Sequence, residues 1–506
     1  VPRTAILTPA QRRVQRALER APGTLTWIIL AAPLVASLPF AAYVAFAIVV
    51  IDVYWFARSF LVVAGILRTY RKLRMTEAVD WWQRCLDLPA DPSRPDPRQV
   101  IHAALIPTYT EPYEILRATV KAIADAHYPA ENKIVAIITR ETDRPGWDNV
   151  RRLQEEFGPR LRAFFHIKDP LLPGIVVGKS AAMAYGGPVL KQELDRMGLD
   201  PRDVVVTDLD SDFRVHREYF SCITYRYVQD PGRLERIYQP IPMFHNNLWR
   251  VPTAVRVMAS ACTQYQMFLQ SRPDRLVAFS SYSMSLELVA RVGYWDDDVI
   301  PEDSRFYWKA FFTTAGRLQM VPVCLPIYGD APQSRDWSST HVNQYNQIKR
   351  WAWGVSDLPY VTVRLLRRRD IPLWLRARRY GYMVFNHLTW ATLPILLFFG
   401  AAIPRLLNFD WSLTTAAASL GGITVGLLNI TLLNIALLIW VESRLNPPRP
   451  PRWGWWRQVW SYFQLVSYPV VGLFLSVLPA LEAQTRLMLG MYLEYQVTEK
   501  VAEGTA

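Results

Sequence analysis

The stretch Asp203-Val-Val-Val-Thr-Asp-Leu-Asp-Ser-Asp212 decides how this chain is read. Its first half is a β-branched apolar run, of the kind that forms a strand buried on both faces. Its second half sets carboxylates at positions 208, 210 and 212. Ile101-His-Ala-Ala-Leu-Ile106 and Lys133-Ile-Val-Ala-Ile-Ile-Thr139 read as strands of the same type. The segments 113–126, 147–157 and 178–196 carry apolar residues at helical spacing between them. Strands alternating with helices predict an α/β domain with a Rossmann-like, mostly parallel sheet, which binds ligands beyond the carboxyl ends of its strands. That rule singles out Pro107-Thr-Tyr-Thr-Glu-Pro112 and the acidic turn after Thr207. Clustered carboxylates repel unless a cation sits among them, and their oxygen donors suit Mg2+ or Mn2+. For a lone D-x-D, a solvated turn capping the next helix is the competing reading.

Outward from this core the chain becomes greasy. No charge lies between Arg20 and Asp52, and the apolar run continues to Leu67. Two membrane-crossing helices breaking near Pro39 are expected, each of roughly 20 residues. A second block offers spans at about 381–403, 412–441 and 460–480, with the basic, Trp-rich loop Arg444–Arg457 before the last. The 506 residues include 57 Lys plus Arg and 44 Asp plus Glu, a net charge of +13, and 51% are hydrophobic. A mean hydropathy of +0.04 then averages a watery part and a greasy part. This excludes a disordered chain and argues against a wholly embedded bundle. Four scattered cysteines without a C-x-x-C pair suggest neither zinc site nor disulfide framework, and fit a reduced cytoplasmic setting.

The expected division is a basic cytoplasmic N-terminus (1–23), two transmembrane helices (24–67), an interfacial linker (68–98) and the α/β domain (99–356). A basic amphipathic interfacial helix (357–380), transmembrane or re-entrant helices (381–480) and a tail (481–506) follow. The positive-inside rule places the N-terminus, the domain and the basic loop in the cytoplasm. Full crossing by 460–480 would put the tail outside; Pro469 and Pro479 allow a re-entrant course instead.

Two further motifs accompany the acidic turn: Pro301-Glu-Asp303 and Gln347-Ile-Lys-Arg-Trp351. On a helix Gln347, Arg350 and Trp351 share one face. That face offers an amide, a guanidinium fork for phosphate and an indole on which a sugar ring can stack.

Together these motifs resemble the membrane-integrated family 2 glycosyltransferases, the cellulose, hyaluronan and chitin synthase-like enzymes, over nearly the whole chain. Pro107-x-Tyr-x-Glu111 is similar to their P-x-Y-N-E motif, with Thr110 in place of Asn. Gly178-Lys-Ser-Ala-Ala-Met-Ala-Tyr185 resembles G-K-x-x-A-L-N, and Leu209-Asp-Ser-Asp-Phe-Arg-Val-His216 resembles the D-x-D line. Pro301–Asp303 resembles the E-D motif that carries the base, and Gln347–Trp351 matches Q-x-x-R-W. Tyr495-Gln-Val-Thr-Glu-Lys500 resembles the F-x-V-T-x-K gating loop. Where the family has an acidic turn for the nucleoside, this chain has Thr139-Arg-Glu-Thr-Asp-Arg-Pro145, with Glu141 or Asp143 as the substitute.

The resemblance implies a GT-A-type domain inserted between transmembrane helices, in a multi-pass protein of a bacterial plasma membrane with a cytoplasmic catalytic domain. It implies a metal on Asp210 and Asp212, and Asp303 as catalytic base. Thr108, Glu111, Glu141, Lys179, Asp210, Gln347, Arg350 and Thr498 would bind the donor; Trp351, Glu302 and Ser283 would bind the acceptor. The activity implied is inverting transfer of a sugar from a UDP-sugar to a growing polysaccharide, with its secretion. The alternative is transfer of one sugar to a membrane lipid, a polyprenyl phosphate or diacylglycerol; a non-catalytic nucleotide-sugar sensor or transporter is a third reading. His245 is expected on a surface loop, and Asp296–Asp298 on a solvated face. The arginines of 365–379 are expected at anionic lipid rather than nucleic acid, since no base-stacking surface accompanies them.

Overall fold

The computed structural model describes residues 8–170 and 178–493. Strands form where the apolar runs fall, β1 (Ile101–Pro107), β2 (Lys133–Arg140) and β4 (Val204–Asp208), and at one stretch not read from the sequence, β3 (Ala163–Asp169). β5 (Arg214–Val215), β6 (Arg236–Met243), β7 (Tyr282–Ser285) and β8 (Gln319–Tyr328) complete one sheet, in the order β3-β2-β1-β4-β7-β6-β8-β5. The half β3-β2-β1-β4 is parallel throughout; β7 runs antiparallel to both β4 and β6, while β6 and β8 pair in parallel. The α/β class expected from the strand and helix alternation is the class observed.

Residues alternate across this sheet between two cores. Ala103, Leu105, Ile138 and Val206 enter one; Ala104, Ile106, Ile137 and Val205 enter the other. Every residue of β1, β2 and β4 is buried, as a sheet covered on both faces requires. The helix Lys179–Arg196 lies tightly on this surface: a Cβ added at Gly186 would fall 2.2 Å from Ile138 Cδ1. That close approach fixes the start of the helix, and so Lys179, over the end of β4.

Four helices among the described residues are long and apolar enough to cross a membrane: Pro9–Glu77, Leu373–Phe399, Thr415–Leu445 and the stretch Trp455–Leu489. The first carries Pro39 and leaves helical geometry at Phe40 (φ −130°, ψ 39°). Its two arms return to the same level. Thr26 Oγ1 meets Gln484 Oε1 at 2.5 Å, Gln484 Nε2 donates to His387 O, and Trp55 stacks on Phe385, two residues away on the same helix. A straight helix would hold Thr26 and Trp55 about 43 Å apart, so the chain doubles back at Phe40.

Two expected boundaries differ. The first helix begins at Pro9, inside the basic segment, because Thr8 caps it: Gln11 N donates to Thr8 Oγ1 (3.3 Å) and Thr8 N to Gln11 Oε1 (2.9 Å). Further along, Arg16 caps the helix Leu478–Leu489 by donating to Leu487 O (2.7 Å) and Met488 O (2.6 Å). The interfacial stretch 357–380 holds two elements: the helix Asp357–Arg367 ends before Pro372, and Leu373 opens the next. The final apolar stretch touches the α/β domain at both ends. Gln464 Oε1 accepts from Arg256 Nε (2.9 Å), and Glu482 accepts from Tyr345 Oη (2.7 Å) and Lys349 Nζ (3.2 Å).

Candidate active site

The carboxyl ends of β1 and β4 open into a cavity of about 950 Å3. At its floor Lys179 Nζ lies 2.6 Å from Asp210 Oδ1 and 3.1 Å from both Asp208 Oδ1 and Glu302 Oε1, and donates to Ser280 O at 3.0 Å. Burial alone would lower the pKa of this ammonium; Asp208, Asp210 and Glu302 outweigh it and raise the pKa well above its ordinary value. Burial pushes Asp208 up to about 8 against the pull of Lys179. Asp208 is fully buried, with the Lys179 ammonium 3.1 Å from its Oδ1. Asp212, also buried, lines the cavity with Asp210. The all-oxygen donor pair at the cavity, Asp210 and Asp212, suits Mg2+ or Mn2+ and would hold it; Asp208 does not line the cavity.

Asp303 sits in the first turn of the helix Glu302–Thr313. Its Oδ2 accepts from Ser280 N at 3.0 Å and its Oδ1 from Ser304 N at 2.7 Å. Burial first, then the neighbouring Glu302 charge, raises its pKa to about 7. Ser280 ties this carboxylate to the acidic turn, since its Oγ donates to Asp210 Oδ2 at 2.5 Å. It does so from a left-handed backbone (φ 58°) that turns N–H, C=O and Oγ toward three different partners.

Behind Asp303, Asp357 is wholly buried and accepts from Ser304 Oγ (2.6 Å) and Arg305 Nε (2.7 Å). Arg305 and Lys309 also reach Asp296, at 3.3 and 2.7 Å, so Asp296 belongs to a half-buried ionic network rather than a solvated face. Glu111 accepts from Thr108 Oγ1 (2.7 Å) and Tyr109 N through one oxygen, and from Ser211 Oγ (2.9 Å) through the other. This clamps the loop after β1 to the D-x-D turn. Thr110 lies at φ 59°, a conformation Asn adopts far more readily than a β-branched residue.

Gln347, Arg350 and Trp351 line the opposite wall from the helix Trp337–Ala352, with the Trp351 ring edge-on to Phe279 at 5.3 Å. The structure thus brings together Thr108, Glu111, Lys179, Asp210, Asp212, Glu302, Asp303, Gln347, Arg350 and Trp351 around one cavity.

Two candidates stand elsewhere. Ser283 is fully buried in β7, bonded to Thr207 Oγ1 (2.7 Å) and Tyr219 Oη (2.9 Å), because the strand's alternation turns it into the sheet. Glu141 is exposed on the turn after β2 and does not line the cavity. Asp143 there caps the helix Arg144–Phe157 through Gly146 N (3.0 Å). Arg140 lines the cavity instead and pairs with Asp169 at 2.7 Å. Thr498 and the gating-like segment lie outside the described residues. His245 is half-buried against Tyr328, and burial lowers its pKa to about 4. Arg140 escaped sequence reasoning; Ser280 lies in the serine-rich stretch Ser280–Ser285, whose hydroxyls suggest sugar binding, but it bonds Asp303 and Asp210 instead. A separate cluster, Asp80, His127 and Glu218, gathers ligand atoms within 4.8 Å of one another but lines none of this cavity.

No family model matches the chain, and no curated protein does. Among solved structures it is similar to the mannosyltransferase PcManGT from Pyrobaculum calidifontis in complex with GDP-Man and Mn2+. Identity is 17%, covering 76% of this chain and 98% of that one, with a TM-score of 0.41. It is also similar to residues 1–349 of S. aureus TarS in complex with UDP-GlcNAc, at 12% identity, covering 80% and 98%, with a TM-score of 0.35.

Proposed function

We propose that the protein is an inverting, divalent-cation-dependent glycosyltransferase with a GT-A-type domain that works at a membrane surface. Its donor is a nucleoside diphosphate sugar, a UDP-sugar by the motif resemblance, and its acceptor is a hydroxyl. The observation that carries this reading is the shared cavity. A buried carboxylate with a pKa near neutrality, Asp303, faces the same space as the Lys179–Asp210–Glu302 cluster and the Gln347–Trp351 face.

Lys179 and Arg350 supply positive charge for the donor diphosphate, and a bound Mg2+ or Mn2+ would neutralise further charge as the leaving group departs. Asp303 takes the proton of the acceptor hydroxyl, whose oxygen forms a bond to the anomeric carbon. The bond from that carbon to the diphosphate oxygen breaks, and the nucleoside diphosphate leaves with the electron pair. One base and no covalent nucleophile give a single displacement, hence inversion. Ser280 holds Asp303 and Asp210 in register through its N–H and Oγ. Trp351 offers a face for the acceptor ring. The stretch Trp455–Leu489 would dip into the membrane and return, which its contacts with the domain at both ends support.

Elongation of a polysaccharide and transfer to a lipid both use this chemistry. Purified protein incubated with a panel of nucleotide sugars and Mn2+ is expected to release nucleoside diphosphate and yield a product of inverted anomeric configuration. Retained configuration would refute the single displacement.

A further inference from the structure

The cavity does not end at the acidic floor. It continues along the helix Leu373–Phe399 from Arg379 to Phe398, about 28 Å of helix rise and nearly the hydrocarbon thickness of a bilayer. Its lining changes along the way. The far end is apolar, formed by Leu393, Pro394, Leu397, Phe398, Leu473 and Val477.

Between this end and the catalytic floor three guanidiniums line the wall: Arg58, Arg275 and Arg379. Arg58 packs its Cζ 4.5 Å from the Trp55 ring centroid and 5.2 Å from that of Phe385, and donates to Tyr54 Oη at 3.1 Å. Among the described residues no carboxylate comes within ion-pair distance of it. Arg275 lies over Tyr382 at 5.0 Å, its nearest carboxylate oxygen being 4.0 Å away on Asp274. Arg379 donates to a backbone carbonyl, Asp274 O. Cations placed beside an apolar, membrane-level wall are costly unless an anion meets them. The acidic floor cannot supply it, since its carboxylates surround Lys179.

Resting on the glycosyltransferase reading above, we infer that the acceptor is a membrane lipid whose hydroxylated head joins its apolar tail through a phosphate. The tail lies between Leu393 and Phe398, the phosphate meets Arg58, Arg275 and Arg379, and the head reaches Asp303. The reach is consistent: five residues separate Arg275 from Ser280, the anchor of the base, so the two lie within about 18 Å. A neutral glycan threading this cavity would have no use for three guanidiniums.

The test uses the full chain in detergent, titrated with a polyprenyl diphosphate-linked monosaccharide, with phosphatidylglycerol and with a neutral glucosyl diacylglycerol. Binding is read by native mass spectrometry. At least one phosphate-bearing lipid should bind about tenfold tighter than the neutral one, and Arg58→Gln and Arg275→Gln should each erase that difference. Arg367→Gln, which removes an exposed charge outside the cavity, should keep it. Should the arginine variants fail to fold, Leu397→Trp fills the apolar end and should abolish lipid binding by itself. Whichever phosphate lipid prevails identifies the source of the head. Equal binding of neutral and phosphate lipids, or equal loss with Arg367→Gln, would overturn the inference.

Donor label is then followed. Label that enters only a water-soluble polymer would overturn the lipid acceptor and leave the transferase standing. Phosphate-selective lipid binding without nucleoside diphosphate release from any donor would overturn the transferase and leave the lipid site standing.

Discussion

The two ends of the cavity treat charge in opposite ways. At the floor Lys179 is ringed by Asp208, Asp210 and Glu302, so a buried cation is matched by buried anions. Along the upper wall Arg58 packs on aromatic rings with no carboxylate in reach among the described residues. An ionic cluster that is matched internally holds its own geometry and is broken by removing one member. A cation backed by ring faces is held by packing and keeps its charge for something that arrives. On the function proposed above, the floor would accept a metal and a diphosphate together, and the wall an anion alone.

The contrast can be broken at either end. The largest effect is expected for Asp303→Asn, which keeps the hydrogen-bond acceptor for Ser280 N but removes the base; transfer should fall about 10^2- to 10^4-fold, read as product formed per enzyme. Next comes Lys179→Met, which leaves buried carboxylates facing one another without a cation. About 3–5 kcal/mol of stability should be lost, read by thermal unfolding, and Mn2+ should restore part of it. Arg58→Met, the matching change at the upper wall, should cost less than about 1 kcal/mol in the absence of lipid.

The pH profile sharpens the floor. Asp303 must be ionised to accept a proton, and its pKa is raised to about 7. kcat/KM should therefore hold level above that pH and drop about tenfold per unit below it. A limb near pH 4 would mean that the carboxylate is not buried during turnover. The smallest effect is expected at Thr110→Asn. Relieving a β-branched residue at φ 59° should raise stability by up to about 1 kcal/mol.

What could be read in the sequence was whatever a local stretch carries whole. Three strands of the parallel half, β1, β2 and β4, showed themselves in apolar runs, whereas the edge strand β3, with its mixed burial, did not. Pro107–Glu111, Asp210–Asp212, Glu302–Asp303 and Gln347–Trp351 each keep their functional groups within a few residues. The break at Phe40 was visible in Pro39. What stayed hidden depends on partners distant in the chain. Ser280 rather than Ser283 reaches the base because β7 begins at Tyr282, and one residue of phase decides which hydroxyl faces the sheet. Glu141 looked like a nucleoside ligand by position, yet the turn exposes it and sends Arg140 to the cavity. Arg58, Arg275 and Arg379 come from three separate segments, and no spacing rule connects them.

The central claim is that the cavity floor transfers a sugar with Asp303 as base. The most direct measurement compares nucleoside diphosphate release and product anomer for wild-type protein and Asp303→Asn, with the same nucleotide sugar and Mn2+. The account predicts release and an inverted product for the wild type, and loss of both in a variant that remains folded. Undiminished transfer by Asp303→Asn would contradict it.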